Sequence, residues 1–363
     1  MRKALAFIKS NLSLFSIASI LLFLISLPVY FIARANASFA DLLNSTVSHL
    51  LRALLGTANR LFPFSLFEVM VIFALPVLAL VIYLGLWLGR QAGGRVRFIA
   101  AILAVISLIC TSYIYTLGVG YHTSPLSARL SLENKTDISK SELVSTYLTV
   151  LDEVNRYSEL VSYEGQSIMP YSFADLSDKL SHSYSQFSEE HEFLRTYTTR
   201  AKPVLFSSVM SDAGILGIYS FFTGEPNVNT EYPDYKIPFT AAHEFAHARG
   251  ISRENEANFM AFLVCISSSD AYIRYSGYLC MYEYLASALY SSDKETYLSL
   301  KSALCEGARA DLLATSAVSA KHRDSVIGKI NERLNDFYLK SNGTEGTVSY
   351  GYVVRLAVAY YNK

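Results

Sequence analysis

Charged residues are scarce in this 363-residue sequence. Lys, Arg, Asp and Glu make up 17% of it, and 31 basic residues balance 31 acidic ones. A neutral chain has no excess charge to hold a polyanion, and we find no nucleic-acid-binding motif, repeat or low-complexity tract. The sequence therefore excludes nucleic acid as the expected partner. With 52% hydrophobic residues, it is also too apolar for an ordinary soluble enzyme.

Cysteine is scarce as well, with only four in the chain: Cys110, Cys265, Cys280 and Cys305. Cys110 belongs to an apolar run. The other three are odd in number, lie in helical patterns and lack the spacing of metal ligands. We interpret them as small buried hydrophobic residues, and a single disulfide is the alternative.

Three apolar runs lie near the N-terminus, at about 12–33, 65–88 and 98–118. Each is long enough to cross a bilayer. A cleaved signal peptide does not explain the first run, because it is longer than a signal core and two more runs follow. The sequence predicts three transmembrane helices in a membrane domain over 1–120, with the lipid bilayer as a partner.

Basic residues predict the orientation of these spans. Three of them precede the first run, and Arg90, Arg95 and Arg97 crowd the short link between the second and third runs. The longer link between the first and second runs has three basic residues spread over about thirty positions. By the positive-inside rule, the N-terminus is cytoplasmic and the chain after about residue 121 is extracytoplasmic. We expect a multi-pass protein of the cell membrane.

The link over 35–63 has the pattern of an amphipathic helix. Its apolar residues recur at helical spacing, opposite a polar face: Phe39, Leu43, Val47, Leu50 and Leu54. Three placements stay open for it. It lies flat on the outer membrane surface, it covers the following domain, or it forms a hairpin packed on the spans.

Residues 121–363 have the composition of a globular domain with one substantial core. A strand is predicted over 217–223, followed by a Pro-Asn turn region. The fold class is mainly α, with a small sheet ahead of the central helix. Helical patterns cover most of the remainder: 140–157, 172–190, 238–249, 253–267, 275–290, 294–304 and 323–339.

The most informative motif is His243-Glu244-Phe245-Ala246-His247. Histidines four apart lie on one face of a helix, so both rings can reach one metal ion. Glu244 lies beside them, where it can take a proton from a metal-bound water. Pro238 and Gly250 suit the start and the end of such a helix. The pattern predicts a zinc site. The alternative without a metal is a hydrogen-bonded pair of histidines in the core.

A third ligand is predicted on the next helix. Glu254 shares one face with the small or polar residues Ala257, Asn258 and Ala261, which would let two helices approach closely. Glu256 competes for the same role, because the link from His247 is short, but it points to another side. Two histidines and one carboxylate leave a fourth position open for water, which is the catalytic pattern of zinc sites.

This HExxH…ExxAN arrangement resembles the gluzincin metallopeptidases. The resemblance implies a zincin-like α+β domain, with His243, His247 and Glu254 as zinc ligands, Glu244 as general base and Asn258 in a supporting role. The six-residue link between His247 and Glu254 departs from most gluzincins, so the turn must be tight. The wider run over 217–259 resembles an uncharacterised bacterial family with several N-terminal membrane helices and a metallopeptidase-like C-terminal domain.

Other side chains are weaker candidates. Glu225 and Asn227, in the predicted turn ahead of the metal helix, could contact substrate or support the ligands. Four residues after the second helix could stabilise an oxyanion, although each is more often a core or surface residue: Arg274, Tyr275, Tyr278 and Tyr282. His182 and His191 are expected to be solvated on a polar helix, and His322 to be an exposed residue at a helix start.

The sequence thus predicts a membrane-anchored zinc hydrolase, most simply a metallopeptidase that acts on a peptide or protein. One alternative is a non-catalytic membrane protein whose zinc site is a structural or partner-binding module. The intact Glu244 argues against it, since a structural site needs no base. A second alternative is a sensor that cleaves a partner or itself, which the lack of a soluble cytoplasmic domain weakens.

Overall fold

A computed structural model describes residues 12–133, 137–342 and 350–363. The described chain is mainly helical. A π-helical turn at Asn44–Ser48 separates the second and third helices, and a 3-10 helix at Gly118–His122 follows the sixth. The N-terminal helices are α1 (Leu14–Ala35), α2 (Ala37–Leu43), α3 (His49–Asn59), α4 (Leu66–Ile72), α5 (Ala74–Leu88) and α6 (Gly94–Thr116).

The remainder of the chain adds eleven described helices and five short strands. The helices are α7 (Leu126–Arg129), α8 (Lys140–Ser158), α9 (Phe173–Glu190), α10 (Ser207–Asp212), α11 (Lys236–Ala248), α12 (Glu254–Ser267), α13 (Ala271–Ser292), α14 (Lys294–Leu300), α15 (Glu306–His322), α16 (Val326–Ser341) and α17 (Tyr350–Tyr361). The strands are β1 (Tyr163–Glu164), β2 (Gln166–Ser167), β3 (Lys202–Val204), β4 (Gly217–Ser220) and β5 (Glu225–Asn229).

Two helices, α1 and α6, are long and apolar enough to cross a membrane. A third candidate is the pair α4 and α5, which is bent by 57°. The straight helix predicted over 65–88 is therefore broken. Pro76 explains the break, because it has no amide to bond the carbonyl of Ile72 and its ring would clash with that carbonyl. The described part of the chain thus has two such helices, or three if the bent pair is one span.

The packing of α1 against α6 uses small side chains. The buried positions of α1 are three serines and Ala33. Those of α6 include Ala100, Ala104 and Ser107. Small residues let apolar helices approach closely where the hydrophobic effect between them is weak. The large apolar side chains of both helices, such as Phe31 and Ile106, are exposed.

The link between the first two apolar segments packs on the rest of the chain through its polar face. Ser48, Arg52 and Asn59 are buried, whereas Val47, Leu50 and Leu54 are about half exposed. The link contacts both the end of α6, where Arg52 donates to the carbonyl of Thr116, and the following domain, where Lys202 donates to the carbonyl of Asn59. The outward apolar stripe is the reverse of the pattern of a soluble surface helix.

A three-stranded sheet lies beside α11. Its order is β3-β5-β4, with β5 parallel to β3 and antiparallel to the edge strand β4. The prediction of a turn at Glu225 and Asn227 was wrong: they belong to β5, whose five residues are all buried. Pro226 hid the strand, since proline is unusual in a central strand. The predicted strand over 217–223 ends at Ser220, and the turn contains Gly224 with φ +71°.

The seven predicted helices are confirmed with shifted ends, and the described residues add four further helices: the short α7 and α10, and the longer α15 and α17. The sequence pattern missed α15 because it is rich in alanine and serine and buries only Ala308 and Asp311. The largest core cluster draws on α8, α11, α12, α13 and α17. All four cysteines are free, and Cys265 and Cys280 are buried.

Contacts cross the predicted boundary near residue 120. Glu225 accepts hydrogen bonds from the amides of Leu66 and Phe67, both at 2.8 Å. Glu68 in turn accepts from the amides at 205 and 206, at 3.1 and 2.8 Å. Each carboxylate thus accepts hydrogen bonds from backbone amides on the opposite side of the predicted boundary. Experiments on this protein therefore need the full chain.

Candidate metal centre

The helix α11 brings both histidines of the motif to one face, and α12 begins with Glu254. The carboxylate of Glu254 lies 3.2 Å from Nε2 of His243 and 3.5 Å from Nε2 of His247. One candidate ligand atom from each residue lies within 4.8 Å of the others. Two imidazoles and one carboxylate thus converge, and they are the single such group among the described residues.

A hydrogen bond fixes the orientation of His247. Its Nδ1 lies 2.8 Å from the carbonyl of Ile251 and donates to it, which turns Nε2 towards Glu254. His247 is 5% exposed. Nδ1 of His243 is buried without a hydrogen-bond partner. The backbone of the turn after α11 therefore holds one of the two imidazoles in a geometry suited to a metal ion.

The short turn between the two site helices is held by the membrane-proximal part of the chain. Gly250 makes the turn possible with φ +88°, a region that favours glycine. Its carbonyl accepts from Nδ2 of Asn44 at 3.1 Å. Ser252 donates to the carbonyl of Leu117 at 2.6 Å. The tight link expected from the sequence thus depends on contacts from more than 130 positions away.

Arg52 adds a buried cation to the contacts that hold this turn. Its side chain is 1% exposed and donates to the carbonyls of Asn44, at 2.8 Å, and of Thr116, at 3.3 Å. A Cβ added at Gly250 would lie 2.5 Å from Nη2 of Arg52. Sequence reasoning missed this residue, because a single arginine in an amphipathic segment gives no signal of burial.

Glu244, His247 and Glu254 shift one another's pKa. Burial raises the pKa of Glu244 to about 7, against the opposing effect of the two histidines. Burial lowers the pKa of His247, but the charge and hydrogen bond of Glu254 reverse this and raise it to about 9. Burial opposes ionisation of Glu254, yet the histidines hold its pKa well below the usual range. The negative charge of Glu254 thus favours a positive charge at the imidazole of His247.

Glu244 is fixed by the edge strand of the sheet. It is 3% exposed, and its carboxylate accepts from the backbone amide of Tyr219 in β4. Gly217 lies against it, because a Cβ there would come within 2.5 Å of Oε1. The other oxygen, Oε2, is buried without a hydrogen-bond partner. One oxygen is thus anchored, and the other is available to a ligand.

The site opens into a cavity of about 930 Å³. Its walls come from α11, β4, α13, α16 and the end of α6. Asn258 of α12 is part of the lining, as are the two tyrosines Tyr121 and Tyr338. Neither tyrosine was a sequence candidate, since Tyr121 follows an apolar helix and Tyr338 is far along the chain. Burial raises the pKa of both tyrosines, and the negative charge of the nearby Glu254 raises it further.

The structure places the alternative ligand Glu256 away from the triad of candidate ligands, His243, His247 and Glu254. Its Oε1 accepts from the amide of Leu126 at 3.0 Å and from Arg253 at 2.9 Å. Glu225 and Asn227 do not line the cavity. Asn227 instead bonds Ser65 at 2.6 Å and so joins the sheet to the start of α4.

The four predicted oxyanion candidates lie in the core of α13 and do not line the cavity. Tyr278 stacks on Tyr157 with ring centroids 5.6 Å apart, and Arg274 donates to the hydroxyl of Tyr157 at 2.6 Å. Tyr275 bonds Asp311, and Tyr282 bonds Tyr147.

The prediction that His322 is an exposed residue at a helix start was wrong. It ends α15, its side chain is 7% exposed, and its two ring nitrogens lie 2.8 Å from Asp212 and 3.0 Å from Glu231. The polar neighbours of His322 in sequence gave no hint of these distant partners. His182 is exposed as expected, and His191 is partly buried, stacked on Phe187.

Gly217→Ala is expected to displace the carboxylate of Glu244 while leaving the three candidate ligands in place. A methyl group there has no room beside Oε1. For the zinc hydrolase proposed below, the hydrolytic rate should fall by more than about tenfold, while the zinc content stays unchanged. Gly351→Ala is the matched control, because Gly351 also lines the cavity but a Cβ at that position meets no atom within 4 Å. Equal activity of both variants would show that Glu244 tolerates a shift.

The fold and site define a mainly helical chain with span-length apolar helices and a two-histidine, one-carboxylate candidate metal centre beside a small sheet. The chain belongs to the family described as "Protein of unknown function (DUF3810)", whose model matches residues 39–358. No protein with a curated description and no solved structure matches the chain.

Proposed function

We propose that this protein is a membrane-anchored, zinc-dependent hydrolase, and most specifically a gluzincin-like metallopeptidase. The observation that carries the proposal is the position of Glu244. It lies beside the triad with Oε2 unpartnered at a cavity wall, a costly arrangement for a buried carboxylate unless a ligand uses that oxygen. A core pair of histidines would not need such a neighbour.

The donor set fits zinc, with His243, His247 and Glu254 as ligands. Two imidazoles and a carboxylate that leave one position open are typical of catalytic zinc sites. When bound there, zinc polarises a carbonyl and makes water more acidic. The hydrogen bond from His247 to Ile251 is the kind of outer contact that orients a ligating imidazole.

Glu244 performs the proton transfers in the proposed reaction. Its Oε2 takes a proton from water as the water attacks the scissile carbonyl, and the same oxygen delivers that proton to the leaving amine. The amide of Tyr219 keeps the other oxygen in place throughout. The edge strand β4 lines the cavity and can pair with an extended peptide through its backbone.

A structural or partner-binding zinc site is the competing function. Structural sites are closed by four protein ligands, whereas the described residues contribute three. A sensor that cleaves a partner or itself would use the same chemistry, so the identity of the substrate distinguishes it from a general peptidase.

We further propose a multi-pass topology with three spans, α1, the bent pair α4–α5, and α6. The N-terminus is cytoplasmic and the metal centre extracytoplasmic, because Arg90, Arg95 and Arg97 lie in the link before or at the start of α6. A reporter enzyme that works only outside the cytoplasm should be active when fused after Lys363. Activity of a cytoplasmic reporter at the same fusion point would show that the proposed orientation is wrong.

The function is tested with the full chain in lipid nanodiscs. A mixed peptide library is incubated with the protein, and new termini are identified by mass spectrometry. We expect cleavage that a chelator stops and added zinc restores. Intact peptides in the presence of zinc-loaded protein would leave the structural alternative standing.

A further inference from the structure

The helix α16 presents its apolar face outwards. Asn331, Tyr338 and Leu339 on the inner face line the cavity. The outward face carries four large apolar residues at i, i+4, i+8 and i+11: Val326 (69% exposed), Ile330 (55%), Leu334 (61%) and Phe337 (74%). A surface helix of a soluble domain has the reverse arrangement. The outward stripe of α16 therefore requires a partner.

Basic residues follow one border of this stripe. Lys329, Arg333 and Lys340, at i, i+4 and i+11, are all exposed on the neighbouring strip of the helix. Lys340 also pairs with Asp336 at 2.6 Å. An apolar face flanked by lysine and arginine is the arrangement of helices that lie in the headgroup region of a bilayer. The basic border matches anionic headgroups.

The N-terminal half of α16 is tied to the first turn of α4. Nδ2 of Asn331 donates to the carbonyl of Ala213, just after α10, at 2.9 Å. The segment leading into α10 is held by Glu68 of α4 through the amides at 205 and 206. The side chains of Leu205, Phe206 and Val209 in this segment are more than half exposed. These three side chains form an apolar rim at the start of α10.

The C-terminal end of α16 is tied to the last turn of α6. Asn342 accepts from the hydroxyl of Tyr113 at 2.6 Å, and the ring of Tyr338 lies 6.3 Å from that of Tyr113. The pair α4–α5 and the helix α6 are joined by the turn at 89–93, so the start of α4 and the end of α6 are on the same side. A helix of 16 residues is about 24 Å long. It therefore bridges the like ends of two apolar segments.

We propose that α16 and the rim at 205–209 form a lipid-docking surface, with α16 lying in the headgroup layer of the membrane that the apolar helices cross. Lipid is favoured over a second copy of the chain because α16 is fixed to the ends of two apolar segments and has a basic border. The surface is thus continuous with the lipid-facing sides of those helices.

This placement has a consequence for the proposed hydrolase. Because the inner face of α16 is a wall of the cavity, docking puts the site at the bilayer surface. A substrate would then be a peptide segment attached to or lying on the membrane. This consequence rests on the proposed hydrolase, whereas the docking surface rests only on the proposed spans, and the experiment below needs neither metal nor activity.

The test uses a single tryptophan as a depth probe. The chain has one tryptophan, Trp87, so Trp87→Phe gives a silent background for Phe337→Trp. Leu298→Trp on α14, a helix that packs on α13, is the matched control. The full chain is placed in nanodiscs of phosphatidylcholine and phosphatidylglycerol, with or without bromine on the acyl chains. We expect bromine to reduce emission from position 337 by about twofold or more and to leave position 298 unchanged.

A second arm tests the basic border. Adding Lys329→Glu and Arg333→Glu to the Phe337→Trp protein should reduce the quenching in anionic discs. Equal quenching at 337 and 298 would overturn the proposal. Shielding of position 337 from a soluble quencher without quenching by brominated lipid would also overturn it, because a second protein chain would then cover the face.

Discussion

Glu244→Gln is expected to abolish measurable hydrolysis while zinc and fold are retained. The substitution keeps the shape of the side chain and the oxygen that accepts from the amide of Tyr219. It replaces the second oxygen, Oε2, with an amide nitrogen that cannot take up a proton. Loss of general base catalysis costs about 10²–10⁴-fold in rate. The peptide-cleavage rate and the zinc content are measured on the same preparation.

Glu153→Gln is the matched control for this variant. Glu153 is a partly exposed residue of α8 that pairs with Arg156, outside the cavity lining. Its rate should equal that of the unmodified chain. Undiminished cleavage by Glu244→Gln would contradict the peptidase proposal whatever the zinc content of the variant, because the proposed mechanism uses Glu244 as the base.

Removal of Glu254 is expected to weaken zinc binding strongly. Glu254→Ala deletes the carboxylate that faces both imidazoles. Loss of a residue that only supports a ligand weakens metal binding by 10–100-fold, so loss of a ligand should exceed about 100-fold. The dissociation constant is measured by competition with a zinc chelator.

Glu256→Ala is the paired variant, two positions along α12. It should leave zinc binding within a few-fold but lower the stability by about 1–3 kcal/mol, because the buried amide of Leu126 and the guanidinium of Arg253 lose their acceptor. Thermal unfolding detects this change. The opposite ranking of the two variants in the zinc titration would make Glu256 the ligand and leave the role of Glu244 unaffected.

The convergence of the candidate ligands was predictable because it depends on local periodicity. Positions four apart on a helix share a face, which brings His243 and His247 together. The same reasoning on α12 separated Glu254 from Glu256. The main helices of the domain were predictable for the same reason.

Contacts between distant segments were not predictable. Arg52 and Asn44 brace the turn at Gly250 from about 200 positions away, and no sequence pattern links them. The strand β5 was hidden by Pro226, since local propensity is weaker evidence for strands than for helices. The outward apolar face of α16 was also missed, and the placement of the amphipathic link that contains α3 stayed open, because periodicity gives the two faces of a helix but does not say which one is buried.

Zinc content of the full chain tests the central claim most directly. The protein is purified from membranes without metal-affinity resin, dialysed against buffer with trace zinc, and analysed by plasma mass spectrometry. We predict about one zinc per chain for the unmodified protein, and almost none for a variant with both His243→Ala and His247→Ala. The same zinc content in both proteins, or none in the unmodified one, would contradict the account.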